Sequence, residues 1–223
     1  MKKTVDSYQE FIDYFHISKN DLYMYGLSAV ISVDEKTATE QYHIIKEKLL
    51  GNEELYIRGY GRNGINTRLY LDLYNMLFDN NKIKIDPTNN MVPRRNISKN
   101  TGHKINEDIL NYQVSHIWGK TKNPILFESV WNICFIPRLY DPFTGHECKG
   151  GWNEEFTVLL NHYIYDKYES IISDYNQFLS DNDIKNKINS FVDLQIKQNQ
   201  YDISTLERFK NDAPNEWETI KRL

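Results

Sequence analysis

Few cysteines, no long apolar run and no excess of positive charge narrow this chain before any motif is considered. Only Cys134 and Cys148 occur in 223 residues, too few for a zinc site built from cysteine pairs, so structural zinc is not expected. Free thiols in a reducing compartment are the expected state of both. No stretch approaches the roughly 20 continuous apolar residues that a membrane-spanning helix requires. The N-terminal run MKKTVDSYQEFIDYF interrupts its apolar residues with polar ones and predicts no secretory leader. A cytoplasmic location without a membrane partner is therefore expected. The formal net charge of -4 argues against a protein that coats nucleic acid indiscriminately, since such proteins are usually basic overall.

What is present suffices for a folded domain. A hydrophobic fraction of 40% with 26% charged residues is the balance of a globular protein able to bury a core. The 16 Tyr, 10 Phe and 4 Trp supply rings for that core and equally for stacking on bases. Charge is unevenly placed. From Arg58 to Lys104 there are nine Lys or Arg against three acidic residues, and the C-terminal third is correspondingly acidic. A basic middle on an acidic chain fits a directed binding face. Arg58, Arg62, Arg68, Arg94 and Arg95 are the candidate DNA contacts, because a guanidinium makes paired hydrogen bonds to guanine edges or phosphates. The flexible turn GYGRNG (59–64) would let the backbone approach closely. Surface ion pairing is the competing reading of each arginine, and Tyr60 and Tyr70 read as core.

Apolar residues spaced by three and four predict helices over 5–17, 35–50 and 66–78, with a short strand at 55–58. Residues 79–104 read as a strand (KIKI) and then a loop, because Pro87 and Pro93 restrict their neighbours and Asn and Gly favour turns. A long helix from 154 to about 179 and two more over 183–198 and 203–210 close the chain. There is no internal repeat and no linker long enough to split the chain into domains.

The segment with the most chemistry is YQVSHIWGKTKNPILFESVWNICFIPRLYDPFTGHE, residues 112–147. It reads as an apolar strand carrying His116, a turn, a second apolar strand carrying Asn132, then Pro137 opening a short helix, with Asp141 and His146 beyond. Residues two apart on a strand share a face, so antiparallel pairing of 112–118 with 130–136 is expected to set His116 and Asn132 on the same side. An imidazole that titrates near neutrality can take a proton from water while a second group fixes its tautomer. A divalent ion opposite it would stabilise charge growing on a phosphate.

In this order of parts the segment resembles the ββα-metal (HNH) nuclease motif, and with the basic stretch before it is similar to HNH-type restriction endonucleases and phage-defence nucleases. The resemblance covers about a sixth of the chain. It implies His116 as general base, Asn132 either positioning that base or binding metal, and Asp141 or His146 as the last metal ligand. Many members carry Asp or His immediately before the base, where this chain has Ser115. The implied cofactor is a divalent ion, Mg2+ or Mn2+, and the implied partner is double-stranded DNA, read by a homodimer if the target is palindromic. The fold class expected is α+β, a ββα-metal core embedded in a largely helical single domain. Residues 1–104 would form an N-terminal part with recognition segment 58–104, residues 105–160 the nuclease core, and residues 161–223 the closing helices. The rival readings are a non-catalytic helical DNA-binding or protein-interaction protein, and a toxin-like nuclease without sequence preference. His103 and His162 read as structural or solvent-facing.

Overall fold

The computed structural model describes residues 4–59, 67–144, 151–199 and 201–223. It is mostly helical with two small sheets, an α+β arrangement. The N-terminal helices α1 (Ser7–Phe15), α2 (Lys19–Ser28) and α3 (Glu35–Leu50) start on Asp6, Ser18 and Asp34, whose side chains accept from the first free N–H groups. Strand β1 (Leu55–Arg58), helix α4 (Thr67–Phe78) and strand β2 (Ile83–Asp86) form a parallel βαβ unit, with Leu55 opposite Ile83 and Arg58 opposite Asp86.

The expected loop after β2 is instead helix α5 (Met91–Thr101). Pro93 sits in its first turn, where a missing N–H removes no helical bond. The start is capped from a distance. The buried Asp86 carboxylate accepts from Thr88 N at 2.9 Å, Met91 N at 3.2 Å and Val92 N at 2.7 Å. Gly102, at φ 75°, ends the helix in a left-handed turn.

Strands β3 (Tyr112–His116) and β4 (Ile133–Pro137) pair antiparallel, as expected, and Ile31 adds an isolated antiparallel bridge to Phe135 on the free edge of β4. The connection between them is not only a turn, for it holds the short helix α6 (Pro124–Glu128). Pro137 closes β4 rather than opening a helix, and a 3-10 turn, Asp141–Thr144, follows. The long helix expected over 154–179 is two, α7 (Gly151–Lys167) and α8 (Glu169–Asp181). The break falls at Tyr168, whose buried hydroxyl donates to the Val33 carbonyl at 2.5 Å. Helices α9 (Ile184–Gln198) and α10 (Ile203–Glu216) pack on each other, and α10 continues past the expected end because Ala213 and Trp217 are buried. One cluster of buried apolar side chains runs from Ile12 to Ile220.

Gly26 in α2 faces the Tyr140 ring, and a Cβ there would lie 2.5 Å from Tyr140 Cε1 and 2.9 Å from Phe156 Cε2. The ring cannot easily withdraw, since its hydroxyl donates to the Leu22 carbonyl at 2.8 Å. Gly26→Ala gains up to about 1 kcal/mol of helix propensity but overpacks at about 1–3 kcal/mol. A lowered thermal midpoint is expected; an unchanged or raised one would show that this contact is loose.

Candidate active site

The geometry of the hairpin is set by α6, a helix without solvent contact at Ile125, Leu126 and Phe127. A helix leaves its first N–H and last C=O groups without partners, and here no water can supply them. Side chains do. At the start, Asn123 Oδ1 accepts from Ile125 N at 3.0 Å and Leu126 N at 3.2 Å, while its Nδ2 donates to Tyr175 Oη and the Glu216 carbonyl. Pro124 follows as the first helical residue. At the end, three successive carbonyls are taken. Leu126 O accepts from Asn132 Nδ2 at 2.9 Å, Phe127 O from His116 Nε2 at 3.2 Å, and Glu128 O from Gln41 Nε2 and Asn96 Nδ2, both at 3.0 Å.

His116 and Asn132 thus meet on adjacent peptide groups, but not as expected. In the register of the hairpin His116 lies opposite Ile133. Asn132 is one residue earlier, and its carbonyl accepts from Ile117 N at 2.9 Å. Strand alternation therefore sets Asn132 with Ser115 and Cys134, on the surface opposite His116. The expectation that both face one common cation is corrected by this one-residue offset.

Asn132 is fully buried, and its carboxamide is committed at both atoms. Oδ1 accepts from Trp118 N at 3.0 Å, and Nδ2 donates to Leu126 O and, at 3.3 Å, to Gly119 O. It pins the 118–126 connection. His116 is 8% exposed and its ring lies nearly parallel to that of Phe127, 8° apart with centroids at 5.5 Å. A carbonyl only accepts, so in the neutral imidazole Nε2 carries the hydrogen and the basic lone pair is on Nδ1.

Asp141 opens the 3-10 turn and is half-buried. It lies close enough to Cys134 for its charge to add to the burial that pushes that thiol up to about 12. His146, like Arg62, Tyr60 and Cys148, lies outside the described residues. Among the described residues no three His, Cys, Asp or Glu side chains come together to hold a metal ion. With Asn132 committed as well, the described residues do not by themselves make up the divalent centre that the resemblance implies. His103 and His162 fit their expected roles, pairing with Asp108 at 2.6 Å and with the Leu223 carbonyl.

The candidate DNA contacts separate. Arg94 and Arg95 line one groove along α5. Arg68 is exposed and paired with Asp72 one turn on, at 3.6 Å. Arg58 is half-buried at the end of β1, its backbone N–H donating to Thr121 O at 2.9 Å.

Two buried ionisable groups flank the hairpin, and both escaped the sequence reading. Lys122 Nζ donates to Arg58 O at 2.5 Å, Gly59 O at 3.1 Å and Thr67 Oγ1 at 3.0 Å, and burial lowers its pKa to about 8. Glu128 accepts from Tyr56 N at 2.7 Å, and burial raises its pKa to about 7 against the opposing pull of that N–H, Lys48, Asn96 and Arg95. The signal that could have found this region was Asn123-Pro124, a capping residue followed by proline at the first helical position.

Residues 33–222 match a protein-family model described as Uncharacterised protein PM1201. The chain belongs to the PM1201 family. A relative, the Uncharacterized protein PM1201 of Pasteurella multocida (strain Pm70), is 41% identical over 197 residues, 87% of this chain and 89% of that protein. No solved structure matches. Every strand and every helix from α3 onward lies within the matched range, whereas α1 and α2 precede it.

Two substitutions probe this hairpin. In Asn132→Asp the shape is kept, but a carboxylate oxygen meets the Leu126 and Gly119 carbonyls in place of a donor. A clamp should lose about 3 kcal/mol or more, read as the midpoint of denaturant unfolding; unaltered stability would return Asn132 to the metal-ligand role. Glu128 holds its proton to a higher pH folded than its ordinary value of 4.5 allows unfolded. Its contribution to stability is complete below about 4.5 and is lost as pH climbs through about 7. Glu128→Gln should flatten that decline, and superimposable stability–pH curves for the two proteins would refute the assignment.

Proposed function

We propose that the protein is a nuclease that hydrolyses phosphodiester bonds of double-stranded DNA with sequence preference, in the manner of the HNH enzymes its hairpin resembles. His116 is the general base for the attacking water. Asn132 is a positioning residue. The observation that carries this reading is the fastening of the imidazole. Nε2–H is held by Phe127 O, the ring is stacked on Phe127, and the peptide group before that carbonyl is held in turn by Asn132. A base so oriented has one tautomer and one direction, which is what proton abstraction requires. The divalent ion belongs to the proposal as a component of the reaction, with Asp141 the described candidate to bind it. A homodimer would follow if the target has two-fold symmetry.

A second reading, a non-catalytic DNA-binding or interaction protein, is favoured by the same contacts seen as helix capping. His116 and Asn132 close the C-terminal carbonyls of α6, a role that needs no chemistry.

Supercoiled plasmid incubated with Mg2+, with Mn2+ or with chelator separates the two. His116→Gln keeps an N–H for Phe127 O and removes the base. Cleavage by the wild type, reduced about 10²–10⁴-fold in the glutamine variant at equal thermal stability, is the expected result. No cleavage by either protein with any metal, or equal cleavage by both, overturns the nuclease assignment and leaves the second reading. Discrete fragments indicate sequence preference; a smear indicates a nuclease without it.

A further inference from the structure

Helix α5 carries three cations onto one groove. Arg94, Arg95, Ser98 and Lys99 recur at helical spacing and line a groove of about 640 Å3. Two structural features complete it. At one end Thr88 and Asn90 enter from the β2–α5 connection, at the carboxyl edge of the parallel strand pair. At the other, the chain reverses at Gly102, and the Arg94 guanidinium donates to Ile105 O at 3.1 Å, which brings Lys104 onto the same groove. Four cations therefore face one acid, Glu107, which pairs with Lys104 at 3.2 Å. Arg95 and Lys99 are exposed and have no salt-bridge partner among the described residues, although Arg95 lies near enough to the buried Glu128 to ease its ionisation.

On a chain of net charge -4 such a groove is a local reversal of field, and fields of this kind select anions by position. Its form selects further. Arg95 and Lys99 are one helical turn apart, about 6 Å along the axis. Backbone phosphates advance about 3.4 Å per nucleotide along each strand, so the pair spans about two nucleotide steps. Thr88, Asn90 and Ser98 supply neutral hydrogen-bonding groups of the kind that accompany cations at phosphate contacts. Among the described residues no aromatic side chain lines the groove for a base to stack on. Contact would be to backbone and not to bases.

We infer that the α5 groove is a phosphate-tracking surface that takes the sugar-phosphate backbone of duplex DNA and sets its position without reading its sequence. The inference shares its partner with the proposed nuclease but rests on separate residues, and binding here needs neither His116 nor a metal.

The test is equilibrium binding of the full-length protein to a fluorescently labelled 20-bp duplex in chelator, followed by anisotropy across a salt series. Arg94 is left intact because it also holds the Ile105 carbonyl. The groove variant is Arg95→Glu with Lys99→Glu, and the control is Lys187→Glu with Lys210→Glu, an equal change in net charge on exposed positions of α9 and α10. The wild type should bind with a steep salt dependence. Removal of two phosphate contacts should flatten the slope of log K against log salt by about 2 and weaken binding at least tenfold at low salt, with the control close to wild type. Absent wild-type binding, or equal weakening of both variants, overturns the inference. So does displacement of the duplex by millimolar pyrophosphate at constant ionic strength, which would make the groove a site for small phosphates. The proposed nuclease fails separately. Groove-dependent binding without cleavage sinks the enzyme and keeps the groove, and cleavage indifferent to the groove variant does the reverse.

Discussion

A buried helix of five residues imposes the strictest demand in this structure. α6 has no solvent to hydrate its ends, and an unpaired buried peptide group costs about 1–3 kcal/mol, so each exposed end must be met by a side chain from elsewhere. Asn123 meets the start; Asn132, His116, Gln41 and Asn96 meet the finish. These partners come from α3, α5, β3 and the two flanks of the helix itself. Satisfying α6 therefore brings the hairpin, the long N-terminal helix and the basic helix to one place. The positions of the candidate base and its asparagine are consequences of that demand.

The elements legible in the sequence are those whose apolar period is long and whose ends carry capping residues. α3 is bounded by Asp34 and Gly51, α4 carries an amphipathic repeat, and the hairpin strands are short apolar runs that can only be buried. The misread elements share a different property: their stability is supplied from outside the segment. α5 has few apolar residues and a proline in its first turn, and it is started by Asp86 from the preceding strand. α6 is too short to show a period, and the break at Tyr168 depends on a carbonyl of Val33. Local pattern cannot report a partner distant in the chain.

The same distinction governs the candidate site. Residue types and their order identified His116 and Asn132 as a pair, and the structure does bring them to adjacent peptide groups. Their relative face depended on register, and register here is displaced by one residue from the pairing that would have set both on one side. Lys122 and Glu128 read as an ordinary turn lysine and helix glutamate because burial, which shifts both, is a property of the assembled fold. The arginines show the reverse case. A charge count along 58–104 drew five of them into one surface, whereas packing leaves Arg94 and Arg95 on one groove and ties Arg68 to Asp72.

One ammonium group joins the two shoulders of the 59–67 segment. Lys122 Nζ reaches the Gly59 carbonyl on one side and the Thr67 hydroxyl on the other, so the closure of that segment is fixed independently of its content. Loss of that one ammonium would therefore release the end of β1 and the start of α4 together, uncoupling two neighbouring elements of the parallel unit through a single side chain.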